Sequence, residues 1–143
     1  MDKIIAVDLI KNSNINELIC LNALENALGT RYKISKTEDP HCNVDFIVER
    51  DNKLIGYAEI KCRAELYKYS DFYLGVVKLK ACQRKYRKTI FMWYDVDAEI
   101  MWYCKFSDDL LDSERDGNKF KIPVEKCRHG FENLLELFRA THW

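Results

Sequence analysis

From Asn14 to Leu28 the apolar positions recur at helical spacing. At about 100° per residue, Cys20, Leu21, Leu24, Ala27 and Leu28 fall on one side. Asn14 is the expected N-cap and Gly29 stands just past the end. The period then shortens. Asn43–Val48 and Leu54–Lys61 are short, β-prone runs separated by the polar turn Glu49-Arg50-Asp51-Asn52-Lys53. Glu65–Tyr73 interleaves aromatics with Lys and Ser, either on a loop that could stack on bases or wedge a junction, or as strand or loop residues that cover the core. After Gly75, the Gly- and Pro-free stretch Val76–Lys88 predicts a second helix. Thr89–Val96 reads as a buried strand, and Glu99–Phe106 as its neighbour across an Asp97-Ala98 turn. Ser107–Asn118 is an acidic loop or short helix, and Lys119–Val124 a further strand. In Phe131–Arg139 the stripe Phe131, Leu134, Leu135 and Phe138 marks a closing helix. The order α-β-β-β-α-β-β-β-α predicts one α/β domain over 1–143, a mixed central sheet flanked by helices.

Candidate chemistry lies in the paired runs. Side chains alternate along a strand, so Glu59 and Lys61 should share a face with Ile55 and Tyr57, opposite Leu54, Ala58 and Ile60. Asp45 shares its face with Ile47, while Val44, Phe46 and Val48 take the other. Two acids and a lysine on such apolar strands are costly to bury unless paired or metal-bound. Carboxylate oxygens suit Mg²⁺, and a lysine beside it can position or deprotonate a water. A solvated Glu–Lys pair on a sheet face would give the same short pattern. Upstream, Glu17 falls near the middle of the apolar stripe, whereas Glu25 lies at its edge. Asn14-x-x-Glu17 also fits a capping box, so Glu17 has both a site reading and a structural one.

A helix with an inward acid, a strand bearing Asp45, then Glu59-x-Lys61 and a basic helix together resemble the PD-(D/E)XK nuclease superfamily. That superfamily includes type II restriction enzymes, archaeal Holliday-junction resolvases, λ exonuclease and VRR-NUC domains. The resemblance covers about the first ninety residues. It implies a restriction-endonuclease-like core and a Mg²⁺- or Mn²⁺-dependent endonuclease acting on DNA. Asp45, Glu59 and the Ile60 carbonyl would hold the metal, Lys61 would serve the attacking water, and Glu17 would be the first-helix acid. Val44 stands where the motif has proline. The nearest proline is Pro40, which makes Asp39 a rival to Asp45. In the second helix Lys80, Arg84 and Arg87 or Lys88 recur as a basic ridge suited to a phosphate backbone, and Gln83 or Lys80 would approach the active site. Tyr86 follows Gln83 by three residues, not the four of the λ-exonuclease branch. The resemblance also implies a homodimer where two strands or a branched junction are cut. The alternative is an inactive member of the fold that binds DNA or protein, and an RNA substrate stays open.

Composition narrows the setting. With 23 basic and 23 acidic residues the formal charge is zero, so nucleic-acid affinity must come from a local patch, with Asp108, Asp109, Asp112, Glu114 and Asp116 held elsewhere. No apolar run suits a membrane span and no signal-peptide pattern opens the chain, which predicts a cytoplasmic protein. The small size suggests a phage or mobile-element enzyme of repair, recombination or DNA degradation, acting in the host cytoplasm. The six scattered cysteines read as small buried hydrophobes. His41-Cys42 and Cys127-x-His129 lack the usual spacing of a structural zinc site. Without a P-loop, nucleophile elbow or dinucleotide fingerprint, no organic cofactor is expected.

Overall fold

The computed structural model describes residues 13–37 and 44–140. The chain runs through α1 (Ser13–Leu28), β1 (Tyr32–Lys36), β2 (Phe46–Arg50), β3 (Lys53–Arg63), β4 (Asp71–Gly75) and α2 (Val76–Arg84). It continues through β5 (Thr89–Asp95), β6 (Ile100–Lys105), β7 (Arg115–Asp116), β8 (Lys119–Pro123), β9 (Arg128–His129) and α3 (Phe131–Arg139). Six strands form the central sheet in the order β1-β2-β3-β5-β6-β9. Every neighbouring pair is antiparallel except β3 and β5, which run parallel with β4 and α2 in the crossover between them. The result is the expected mixed central sheet flanked by helices.

Both faces of the sheet are covered, which is why all of β5 is buried. On one face Leu21 and Leu24 of α1, with Leu134 and Phe138 of α3, pack over Val48, Ala58, Ile60, Ile90, Met92 and Tyr94. On the other, Leu79 and Cys82 of α2, together with Phe72, Leu74 and Ile122, cover Phe91 and Trp93. Phe72 and Leu74 lie on β4 and Ile122 on β8, which form a second sheet with β7 in the order β4-β8-β7. The strand expected at Lys119–Val124 therefore belongs to this separate layer.

The structure corrects several local expectations. The β2–β3 hairpin turns at Asp51 and Asn52, with φ of 53° and 65°, and Arg31 clamps Asp51 through two hydrogen bonds of 2.9 and 2.6 Å. Asp and Asn tolerate this left-handed geometry better than bulkier residues. Just beyond, Val48 faces Gly56 but Glu49 faces Leu54, so Ile55 is an extra, bulged residue. The bulge turns Ile55 to the α1/α3 side and leaves Leu54 exposed, while Tyr57 packs on the α2 side. Ile55 thus does not share the face of Tyr57, Glu59 and Lys61.

Helix α1 begins at Ser13, one residue before the expected cap, which places Glu17 fifth in the helix and past the position a capping box requires. Helix α2 ends at Arg84, not Lys88. Lys85 leaves helical geometry, Tyr86 turns inward against Tyr57, and the Tyr57 amide bonds the Lys88 carbonyl at 2.8 Å as β5 begins. Arg87 and Lys88 consequently sit on the connection to β5 and do not extend a helical ridge.

Candidate active site

Strand β3 outruns its partner. Its ladder to β2 stops at Phe46–Ala58, whereas its ladder to β5 continues from Glu59 through Arg63. Asp45 occupies the bend just before β2, one residue earlier than a strand assignment would place it. There its backbone N–H donates to Glu59 Oε1 at 3.0 Å. The second Glu59 oxygen accepts from Lys78 Nζ at 2.6 Å. Lys78 stands on the first turn of α2, on the same side as the buried Ala81 and Cys82. Strand, bend and helix therefore converge on one carboxylate.

That carboxylate is only 3% exposed. Burial pushes the Glu59 acid up to about 7, with the Asp45 charge pushing the same way and Lys78 pulling against them. Glu17 of α1 is also raised, by burial and then by Asp45, against the pull of Arg63, Lys61 and Lys36. Lys61 is lowered by burial and by repulsion from Lys78, Arg63 and Lys119, with Glu59 opposing. Its ammonium lies 3.5 Å from the Tyr73 carbonyl of β4. The fold thus sets Asp45 against Glu59, with Lys61 further along the same strand, and leaves Glu17 of α1 within electrostatic reach of Asp45 and Lys61. The Ile60 side chain points into the α1/α3 core, and the residue, 2% exposed, pairs with Met92 in the β3–β5 ladder.

The other sequence candidates lie apart. Lys80, Gln83 and Arg84 are exposed on the outer part of α2, where they line a depression with Leu111, Arg115 and Phe120 that contains none of the acids. Gln83 approaches Asp108 at 3.4 Å, and Arg87 is ion-paired to the same Asp108 at 2.7 Å. Lys88 joins Arg84, Lys85 and Arg87 around the first half of β3. The α2 residue that reaches the acids is Lys78, which sequence reasoning missed. Its signal was the i+3 and i+4 spacing to Ala81 and Cys82, overshadowed by the more conspicuous basic series on the outer side.

Among the described residues, no group of three or more His, Cys, Asp or Glu side chains is gathered closely enough to cage a metal. The acids that the structure sets side by side are Asp45 and Glu59. Asp39, Pro40, His41 and Cys42 lie outside the described residues. Cys127 turns inward into the same buried cluster as Cys104, and the Cys20 and Cys62 sulfurs sit 3.7 Å apart. None of the described helices is long and apolar enough to cross a membrane.

The fold is similar to that of D212, a nuclease from a fusselovirus. The superposition has a TM-score of 0.56 at 10% identity and covers 89% of this chain and 87% of the viral one. No protein-family model and no curated protein matches the sequence.

Proposed function

We propose that the protein is a metal-dependent nuclease hydrolysing DNA phosphodiester bonds, an endonuclease of the PD-(D/E)XK type. The observation carrying this reading is the buried Glu59, held against the Asp45 backbone with Lys61 on the same strand face. The fold shared with a viral nuclease supports it.

The donor set fits a divalent cation. Asp45, Glu59 and the Ile60 carbonyl offer only hard oxygens, which suits Mg²⁺ or Mn²⁺ completed by waters. Burial and mutual repulsion raise the acids around Asp45, and a cation would relieve that strain. When bound, such an ion lowers the pKa of water and offsets charge developing on the phosphate. Lys61, held near Tyr73 with a depressed pKa, orients the attacking water or takes its proton. Lys78 holds the Glu59 carboxylate in place, and Glu17 extends the negative field beside Asp45. Lys80, Gln83, Arg84 and Lys88 offer exposed contacts for a phosphate backbone. Arg87 would first have to leave Asp108. Two such sites in a homodimer would serve both strands of a duplex.

The test is cleavage of labelled duplex, single-stranded, flap, four-way-junction and RNA substrates with Mg²⁺, Mn²⁺ or EDTA. Wild type is compared with Asp45→Ala, Glu59→Ala and Lys61→Ala. Metal-dependent cutting of DNA, lost in all three variants, supports the reading. A second reading, an inactive nuclease fold used for binding, is favoured by one observation: both Glu59 oxygens are already engaged. Binding without cutting, unchanged in the variants, would replace the first reading with the second.

A further inference from the structure

Beside Lys61 lies a cavity of about 360 Å³, between the end of β3, β4 and β8. That is near the lower end of the ~300–1,000 Å³ common for small-ligand sites. Phe72 and Trp93, stacked at 4.8 Å and 20°, form an apolar floor. Tyr69 lines the wall and is 60% exposed, so its ring is accessible from solvent, while Tyr73 brings its backbone carbonyl to within 3.5 Å of Lys61. Lys61, Arg63 and Lys119 place three cations around it, against one acid, Asp71, whose carboxylate is held by the Ser70 hydroxyl. A larger cavity of about 610 Å³ lies between β6 and α3. Its lining mixes Lys126 and Arg128 with Asp109 and Glu136, and it contains none of the acid cluster.

Aromatic surface beside concentrated positive charge matches one nucleotide, a flat base joined to an anionic phosphate. Lys61 belongs both to this cavity and to the Glu59 cluster, so a phosphate at the cavity mouth lies next to the acids. We infer that the cavity takes a single unpaired nucleotide of the substrate strand, its base against Tyr69 and its phosphate against Arg63 and Lys119. This rests on the nuclease reading and specifies its substrate: DNA offering an unstacked nucleotide, as a single strand, frayed end or junction does. A base inside a continuous duplex cannot enter without leaving its stack, which disfavours the duplex.

The test separates binding from cleavage. Fluorescence anisotropy in EDTA compares a labelled oligothymidine with a duplex of equal length. The proteins are wild type, Tyr69→Ala, Lys119→Ala and, as a remote control, Lys33→Ala on β1. All three side chains are exposed, so folding is not at stake. The single strand is expected to bind more tightly than the duplex. Loss of one stacking ring, about 1–3 kcal/mol, should weaken it between about fivefold and a hundredfold. Lys119→Ala should flatten the dependence of log K on log salt by about 0.7, and Lys33→Ala should change neither. Equal affinity for Tyr69→Ala and wild type, or wild type binding the duplex as tightly as the single strand, overturns the inference. Cleavage in Mg²⁺ is scored separately. Tyr69-dependent binding without cutting refutes the nuclease reading and keeps the pocket, whereas duplex cutting unimpaired in Tyr69→Ala refutes the pocket alone.

Discussion

Replacing Glu59 by Gln should strengthen the folded protein while removing the proposed activity. The side chain is 4% exposed, and its acid is pushed up to about 7 even with Lys78 bonded to it. An unfolded glutamate titrates near ~4.3. Between these values the native state retains a proton that the unfolded chain has released. Stability must therefore fall as pH rises through that window and level off above it. At about 1.4 kcal/mol per pH unit, the ionised form is disfavoured by at most ~4 kcal/mol relative to the protonated one. Glutamine imitates the protonated acid, but its amide nitrogen must face either the Asp45 N–H or Lys78, both of them donors. One misplaced donor costs about 1–3 kcal/mol. The net gain expected for Glu59→Gln at pH 8 is ~1–3 kcal/mol, shrinking toward acid and turning into a loss of about 1–3 kcal/mol near pH 4, where only the misplaced donor remains.

Urea unfolding of both proteins in EDTA at pH 4 to 9 measures this difference, and titrations elsewhere in the chain cancel when the two curves are subtracted. Saturating Mg²⁺ should reverse the order. A ligand at ~100 times its dissociation constant adds about 2.7 kcal/mol to the protein that binds it, and the variant has lost a ligating oxygen. A variant no more stable than wild type at pH 8, or a difference that does not shrink toward acid, would refute the assignment of Glu59 as a frustrated buried charge.

Three further outcomes follow from the same geometry. Lys78→Met leaves Glu59 without its cation. It should destabilise by roughly 1–3 kcal/mol at pH 8 and much less at pH 5, where the acid is protonated, as urea midpoints would report. Phe138→Ala removes a fully buried ring between α1, α3 and the sheet, and should lower unfolding free energy by about 3–5 kcal/mol with the denaturant slope unchanged. Gly130 precedes α3 at φ 108°, and a Cβ there would come within 3.2 Å of the Asn133 amide. Gly130→Ala should therefore cost about 1–3 kcal/mol, read from thermal or urea unfolding.

Much of this arrangement could be read from the residue pattern. Phe131–Arg139 formed the expected helix because its stripe is regular and one-sided, and β5 and β6 declared themselves by apolar content. β4 was harder to recognise. Its alternation of buried Phe72 and Leu74 with outward Tyr73 was masked by the surrounding Lys, Ser and Tyr, so strand and loop both stayed open there. The bulge at Ile55 was invisible because periodicity assumes an unbroken pleat, whereas here the hairpin turn and the cross-strand register set it.

The chemistry divides along the same line. Asp45, Glu59 and Lys61 could be grouped from sequence because hairpin pairing relates positions that are close along the chain. Lys78 could not, because it reaches Glu59 only after β4 has crossed over the sheet and α2 has settled on Phe91. Local spacing made the outer series of Lys80, Arg84, Arg87 and Lys88 the salient one, yet Arg87 is engaged by Asp108 and α2 ends before Lys88. The inward lysine is the one whose loss changes the site, since an exposed cation is solvated anyway while a cation on a buried carboxylate decides whether that carboxylate can stay ionised. Here the charge run lies on the surface, and the single charge beside the small buried Ala81 and Cys82 is the one paired with a buried acid.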